Sequence, residues 1–359
     1  MKTLALVVIA RNEENHIGRC LQSAAPYVDE IIVVDTGSTD HTKEVARAHG
    51  ARVETFQWVN DFSAARNFAL SCSRCDWNLI LDADEHILEA DAVFLRSFME
   101  QKALGRIRII SETRSGEELQ HTVNHITRLI PAGVRYKGRV HEQVDSDLPR
   151  KNVPISVRHT GYLHGPKPER NIPLLLEEIR ENPRSAYFHY QLAKEYQGIE
   201  DWENCSKHME LAYRFLQGKE RYAPNVVTDY LYALMKIRDF KTGLAIIEKN
   251  HAWIQQYPDY YFACGQFYLE AAIDDVQHYM NYLPKVEQSY LRCLEIGETD
   301  RYDSVTGTGS FAAYYNLGAY YEILGHTQKA LHCYRQAAKL GYEKAVKRIT
   351  EMEKGRKNA

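Results

Sequence analysis

The sequence predicts two domains of different class: an α/β domain built on a mostly parallel sheet, then an all-α domain of helical repeats. Three observations predict this. The chain has 359 residues, beyond the roughly 250–300 at which a single hydrophobic core stops growing. Tyrosine is partitioned: residues 1–180 hold only Tyr27, Tyr136 and Tyr162, and the rest of the 24 lie beyond. Short apolar runs alternate with helical stretches in the first part, whereas a helix–turn–helix spacing recurs in the second.

The apolar runs Leu4–Ala10, Glu30–Asp35, Arg52–Trp58 and Trp77–Leu81 are short and rich in Val and Ile, as strands buried on both faces must be. Between them, Asn15–Ala24, Thr39–His49 and Phe62–Ser73 place apolar residues at helical spacing. Thr39-Asp40 and Asp61 stand where N-caps belong. Strand and helix alternating at this pitch imply right-handed crossovers and helices on both faces of the sheet. Ligands then bind beyond the carboxyl ends of the strands. After about residue 100 the pattern becomes β-rich: Arg106–Ser111, His125–Ile130, Val134–Val140 and Pro154–His159.

In the second part, Tyr-Tyr-Asn-Leu-Gly-Ala-Tyr-Tyr at 314–321 is followed by Ala330, Tyr334 and Ala337. Leu192-Ala193…Tyr196 with Cys205, Met209 and Ala212 repeats the pattern. So does Cys264-Gly265…Tyr268 with Val286, Tyr290 and Cys293, across a longer connection, and Tyr230-Leu231 with Gly243 and Ile247 repeats it weakly. Small residues let paired helices approach while large ones fill the gap. Residues 183–345 resemble the tetratricopeptide family. The expected boundaries are 1–165 for the α/β domain, 166–182 for a linker or closing segment, and 183–359 for the repeats.

Composition narrows the function. Hydrophobic residues at 44% and charged residues at 26% exclude a disordered or fibrous chain. A net charge of −3 and a pI near 6.6 offer no bulk positive field, so no nucleic-acid partner is expected. Leu4–Ala10 is far shorter than the roughly 20 residues of a spanning helix and ends in Arg-Asn-Glu-Glu without a cleavage site, so neither a transmembrane segment nor a secretory signal is expected. Seven scattered cysteines read as reduced thiols in a cytoplasmic protein. Cys72 and Cys75 have no second pair at zinc spacing.

The chemistry gathers at the strand ends. Leu-Asp-Ala-Asp-Glu at 81–85 leaves a buried run. Two acids with one spacer, Asp82 and Asp84, can share a hard divalent cation that binds phosphate oxygens, although the same residues also suit a capped helix start. Val33-Val34-Asp35-Thr36-Gly37-Ser38-Thr39-Asp40 follows another strand. There Gly37 permits a tight turn and Asp35 can accept hydrogen bonds from a ribose or base. Ala10-Arg11-Asn12-Glu13-Glu14 and Asp61-Phe62-Ser63-Ala64-Ala65-Arg66-Asn67 complete a nucleotide-sized edge.

The motifs VVIARNEENHIGRCLQS, EIIVVDTGSTDHT, DFSAARNFAL and NLILDADEHI, in this order, resemble the N-terminal half of family 2 glycosyltransferases over roughly residues 1–165. The resemblance implies the GT-A (Rossmann-like) fold and inverting transfer of a sugar from a UDP-sugar donor with Mg²⁺ or Mn²⁺. Carried over, it puts Ala10, Arg11 and Glu13 beside uracil and ribose, Asp35 on the uridine, and Arg66 and Asn67 near the base and donor sugar. Asp82 and Asp84 would frame sugar and metal, Asp84 as the more direct ligand. With helical repeats following, the chain resembles bacterial SunS-type peptide S-glycosyltransferases, and its catalytic half also resembles lipopolysaccharide-core glucosyltransferases.

Such relatives carry a His-Glu pair after a β-rich stretch, matched by Tyr136-Lys137-Gly138-Arg139-Val140-His141-Glu142. An inverting transfer needs a base on the acceptor face; Glu142 is the first candidate and His141 the second. The chain lacks the Gln-x-x-Arg-Trp signature of processive synthases, which favours one sugar per event. His159 is a possible third metal ligand, against the alternative of a structural hydrogen bonder. Lys167 and Arg170, followed by Asn171, could close over the diphosphate or simply form a solvated linker. The expected acceptor is a peptide or protein gripped by aromatic residues of the repeats. A saccharide or lipid-linked acceptor of the cell envelope and a non-catalytic repeat scaffold are the alternatives, and a homodimer is compatible with the repeat surfaces.

Overall fold

The computed structural model describes residues 2–115, 118–159, 168–299 and 304–357. Two compact units divide at Pro183/Arg184.

The first unit is built on a mixed sheet in the order β3-β2-β1-β4-β7-β6-β10-β5. Its strands are β1 (Leu4–Ala10), β2 (Glu30–Asp35), β3 (Arg52–Thr55), β4 (Trp77–Asp82), β5 (Glu85–Ala90), β6 (Leu104–Ser115), β7 (Glu118–Pro131) and β10 (Arg150–His159). A separate antiparallel pair, β8 (Arg135–Lys137) and β9 (Gln143–Asp145), lies between β7 and β10 in the chain. The first four strands run parallel, and β7 enters antiparallel to β4 and β6. Helices α1 (Ile17–Ala24), α2 (Thr42–Ala48), α3 (Phe62–Cys72), α4 (Ala92–Phe98) and α5 (Pro168–Glu181) complete the unit.

Alternation along β1 explains the layering. Leu4, Leu6 and Val8 pack with Ile17 and Leu21 of α1 and Leu95 and Phe98 of α4. Ala5 and Val7 pack into another core with Ala69 and Leu70 of α3. The strand is therefore apolar at every position, the pattern read from the sequence. Register aligns the carboxyl ends: Ala10 pairs with Asp35, and Ile9 with Asp82. Three polar strand ends thus share one edge.

The structure departs from expectation at several places. Arg52–Trp58 is strand only to Thr55, and β5 and α4 are additions to the expected order of elements. Val134–Val140 is strand only over Arg135–Lys137, because Gly138 turns the chain with φ 95°. Asp61 caps α3 by accepting from Ala64 N at 2.9 Å, as expected. For α2 the cap position is His41, with Asp40 accepting from Thr42 N at 3.0 Å. Within the 166–182 segment, expected as a linker or closing segment, Pro168–Glu181 forms helix α5, which falls with the first unit and buries Asn171, Leu174, Leu175 and Glu178; residues 166 and 167 lie outside the described residues.

Apart from a two-residue strand at Ser304–Val305, the regular elements of the second unit are helices: α6 (Ala186–Gly198), α7 (Trp202–Phe215), α8 (Ala223–Lys236), α9 (Phe240–Asn250), α10 (Pro258–Asp274), α11 (Val276–Tyr279), α12 (Leu283–Ile296), α13 (Phe311–Ile323), α14 (Thr327–Lys339) and α15 (Glu343–Lys357). The repeat pairs predicted from the sequence are α6/α7, α8/α9, α10/α12 and α13/α14. Small-against-large packing is visible directly. A Cβ on Gly265 would lie 2.8 Å from Tyr290 Cζ, and one on Gly318 2.8 Å from Tyr334 Cε1. No helix among the described residues is long and apolar enough to cross a membrane.

Candidate active site

Strand β4 ends in Asp82, and a two-residue turn leads to Glu85 at the start of β5. The Asp82 side chain is a third exposed, yet both its oxygens are held by arginines. Arg66 Nη2 donates to its Oδ1 at 2.9 Å, and Arg128 Nη2 to its Oδ2 at 2.6 Å. Arg66 comes from α3, one turn beyond the Asp61 cap, and its side chain is only 5% exposed. Its Nε donates to Glu142 Oε1 at 2.5 Å, and its guanidinium lies over the Tyr136 ring, 5.4 Å from the centroid. Arg128, from β7, also reaches Glu85 Oε1 at 3.4 Å.

The result is a charged chain, Glu85–Arg128–Asp82–Arg66–Glu142, buried except at Asp82. Burial alone would raise the Asp82 carboxyl, but Arg128 and Arg66 outweigh it and hold it well below the carboxylate range. Burial pushes Glu85 the other way, up to about 7, although Arg128 opposes it. It likewise pushes the Tyr136 hydroxyl up to about 12, against Arg66 and Arg128. Arg66 Nη1 and Arg128 Nε are buried with no hydrogen-bond partner. Such donors are costly to leave unmade and mark a place where an acceptor would be welcome.

Asp84 faces a different neighbour. Its Oδ2 lies 3.2 Å from His159 Nε2 at the end of β10, and both side chains are partly open. Burial works against charge on His159, but the Asp84 hydrogen bond and the carboxylates of Asp84, Glu85 and Asp82 prevail, raising its pKa. No group of three or more His, Cys, Asp or Glu side chains is arranged to hold a metal among the described residues. One carboxylate and one imidazole still fit two ligand positions of Mn²⁺, or one of Mg²⁺. Both Asp82 oxygens accept from arginines, so a cation there would meet two guanidinium charges.

At the neighbouring strand ends, Asp35 is 1% exposed and accepts from Gly37 N at 3.1 Å and from Ser38 N at 3.1 Å. It shapes the turn in which Gly37 takes φ 109°. Ala10 is buried beneath this turn, its carbonyl accepting from Thr36 N at 2.9 Å. Arg11 is exposed. Glu13 lies 3.0 Å from His16 Nδ1. Asn12 Oδ1 accepts from Thr39 N at 2.8 Å, tying the first loop to the second. Asn67 is not presented to a ligand: its amide exchanges two 2.8 Å hydrogen bonds with the Tyr136 backbone. His141 sits beside Glu142 with φ 51°. Arg170 stacks on Phe62, 4.9 Å from the ring centroid, at the start of α3. Lys167 lies outside the described residues.

Sequence reasoning gave no role to Arg128 or Glu85. The available signal was a charge beside the apolar pair Leu129-Ile130 at the end of the expected strand His125–Ile130, and a third acid directly after Asp84. In the second unit, a groove of about 1370 Å³ is lined by Trp202, Tyr213, Tyr230, Lys236, Lys249 and Trp253, among others. Lys236 lies 5.5 Å above Trp202, and Lys249 5.3 Å above Tyr213.

Residues 5–141 match the model of the glycosyl transferase family 2. A TPR repeat-containing protein of Synechococcus elongatus is 38% identical over 149 residues, 41% of this chain and 37% of that protein. The prophage-derived glycosyltransferase SunS of Bacillus subtilis is 29% identical over 202 residues, 52% of this chain and 48% of that protein. The matches thus span less than half the length of either relative. Among solved structures, glucosyl-3-phosphoglycerate synthase from Mycobacterium tuberculosis, crystallised with Mn²⁺, UDP and glucosyl-3-phosphoglycerate, is 27% identical over 32% of this chain and 45% of that one, with a TM-score of 0.25.

Proposed function

Because residues 5–141 carry a glycosyl transferase family 2 domain, we propose that this chain moves a hexose from a UDP-sugar to a peptide or protein acceptor, with inversion at the anomeric carbon. The observation that carries the reading is the shared guanidinium of Arg66, which joins Asp82 at the strand-end edge to Glu142, the candidate base. An acid at the donor edge and a base on a separate loop are what a single displacement requires.

In this mechanism the acceptor attacks the anomeric carbon opposite the diphosphate. Glu142 takes the proton from the nucleophile, His141 being the second candidate, and the C1–oxygen bond breaks with its electron pair leaving on UDP. The Asp35 turn and the Asn12–Thr39 tie build the wall for uracil and ribose, with Ala10, Arg11 and Glu13 at its rim. Asp84 and His159 would hold Mg²⁺ or Mn²⁺, which as a Lewis acid offsets charge on the departing diphosphate. Asp82 stands behind them as the partner of two arginines, and Lys167 and Arg170 are the further candidates for the diphosphate side. Positioning two substrates supplies much of the acceleration. The aromatic and lysine-lined groove of the second unit supports a polypeptide acceptor, since flat rings with polar tips suit extended chains.

The test is UDP release by the full chain with UDP-glucose, UDP-GlcNAc or UDP-galactose and Mg²⁺ or Mn²⁺, followed by mass spectrometry of co-expressed peptides. One donor should release UDP, and a peptide should gain one sugar mass. Calorimetry showing no binding of UDP with Mn²⁺ would overturn the reading. Sugar transfer to saccharides alone would move the acceptor class.

A further inference from the structure

The loop that carries Glu142 is unusual. Gly138 has φ 95° and His141 φ 51°, so two residues in left-handed conformations bracket Arg139 and buried Val140. A non-glycine residue stays in that region only where its surroundings over-determine it. Two of the restraints come from α3: the Asn67 amide on the Tyr136 backbone, and Phe62 N donating to the Arg139 carbonyl at 2.7 Å.

The third restraint comes from α5. Glu178 Oε1 accepts from Arg139 N at 2.5 Å, and the Glu178 side chain is only 8% exposed. The Arg139 guanidinium pairs with Glu181 and lies 3.8 Å from Glu177 Oε2. A buried carboxylate directed at a backbone N–H is costly to desolvate and persists where that N–H has to be held. The N–H in question lies three residues before Glu142. Glu178 has no part in the charged chain around Asp82 and no role in the mechanism above.

We infer that Glu178 is a positioning residue: from α5 it fixes the 138–142 turn so that the Glu142 carboxylate meets Arg66. The inference rests on the proposed role of Glu142 for its kinetic consequence, but not for its structural one. Glu178→Gln keeps an oxygen that accepts from Arg139 N, whereas Glu178→Leu and the shorter Glu178→Asp do not reach it.

The experiment uses the full chain and two readouts. Hydrogen exchange in Glu178→Leu should quicken at Arg139–Glu142 while β1–β4 stay protected as in the wild type, and Glu178→Gln should restore the slow exchange. In turnover of the UDP-sugar, Glu178→Leu should lose about tenfold or more in kcat, as expected for a misplaced reacting group, with KM for the donor nearly unchanged. Glu178→Gln should recover most of that loss. Unchanged exchange at Arg139–Glu142 in Glu178→Leu overturns the inference; quickened exchange with unchanged kcat upholds the positioning by Glu178 and overturns Glu142 as the base. If Glu178→Leu fails to fold, Glu178→Asp set against Glu178→Gln gives the same comparison. If the wild type turns over no UDP-sugar, the functional reading fails by itself, and the exchange comparison still decides the role of Glu178.

Discussion

Arg66 donates to Asp82 at 2.9 Å and to Glu142 at 2.5 Å, so one guanidinium ties the end of β4 to a loop 60 residues further along. With Arg128 on the other side of Asp82, the cluster balances two cations against carboxylates in a buried place. Such an arrangement is held strongly only while every member is present.

Arg66→Met should therefore destabilise the first unit by about 3 kcal/mol, the cost of stranding a buried partner. Arg128→Met should cost a comparable amount. The double variant Arg128→Met/Asp82→Asn should recover part of the loss, because the carboxylate charge goes with its partner. Urea denaturation of the four proteins in a double-mutant cycle measures the coupling. Strict additivity of Arg128→Met and Asp82→Asn would show that the Asp82–Arg128 contact carries no energy.

Asp84 and His159 should behave differently, since their pair is partly open to solvent. Asp84→Asn and His159→Gln are expected to leave unfolding within about 1 kcal/mol of the parent, as for pairs that keep some contact with solvent, and to weaken UDP binding at least tenfold in Mn²⁺ but little in EDTA. Calorimetry with and without the metal measures this. Equal weakening in both conditions would argue against Asp84 and His159 as the metal ligands.

The parallel part of the sheet was legible because strands buried on both faces leave a continuous Val/Ile signature, as Leu4–Ala10 and Glu30–Asp35 do. Helix α5 was not: its charged residues read as solvated, while the helix buries Leu174, Leu175 and also Glu178. Strand β5 was hidden because Glu85-His86 looks like a continuation of an acidic loop, yet both residues are buried. The acids of the site were legible from their spacing at strand ends. Their partners were not, because Arg128 meets Asp82 across 46 residues of chain, and a charge within a strand pattern ordinarily reads as outward-facing.

In the repeats, Gly318→Ala sets two effects against each other. Replacing a helix-interior glycine gains about 1 kcal/mol of helix propensity. The new methyl, however, would sit 2.8 Å from the Tyr334 ring, which cannot swing away because its hydroxyl donates to Glu322 Oε2 at 2.8 Å and the residue is buried. Overpacking costs about 1–3 kcal/mol, so the net change should be destabilising. Thermal unfolding of the variant measures it, and a stabilised Gly318→Ala would mean that α13 and α14 can separate freely.

The last prediction concerns pH. His208 on α7 lies with its Nδ1 3.0 Å from His189 Nδ1 and its ring stacked on Tyr196 at 5.7 Å. Burial first, then the neighbouring His189 and Lys207, lower its pKa to about 4. Between about 4 and the unperturbed value near 6.5, the unfolded chain binds a proton that the folded chain refuses, so stability falls as the solution is acidified through that window. A full shift of this size corresponds to about 3 kcal/mol, and partial solvation of the ring reduces the expected loss to about 2 kcal/mol. His208→Gln removes the titration and should flatten the dependence of second-unit stability between pH 7 and 4.5, measured by denaturant unfolding at each pH. A wild-type profile already flat over that range, or a slope that persists in His208→Gln, would show that His208 titrates alike in both states.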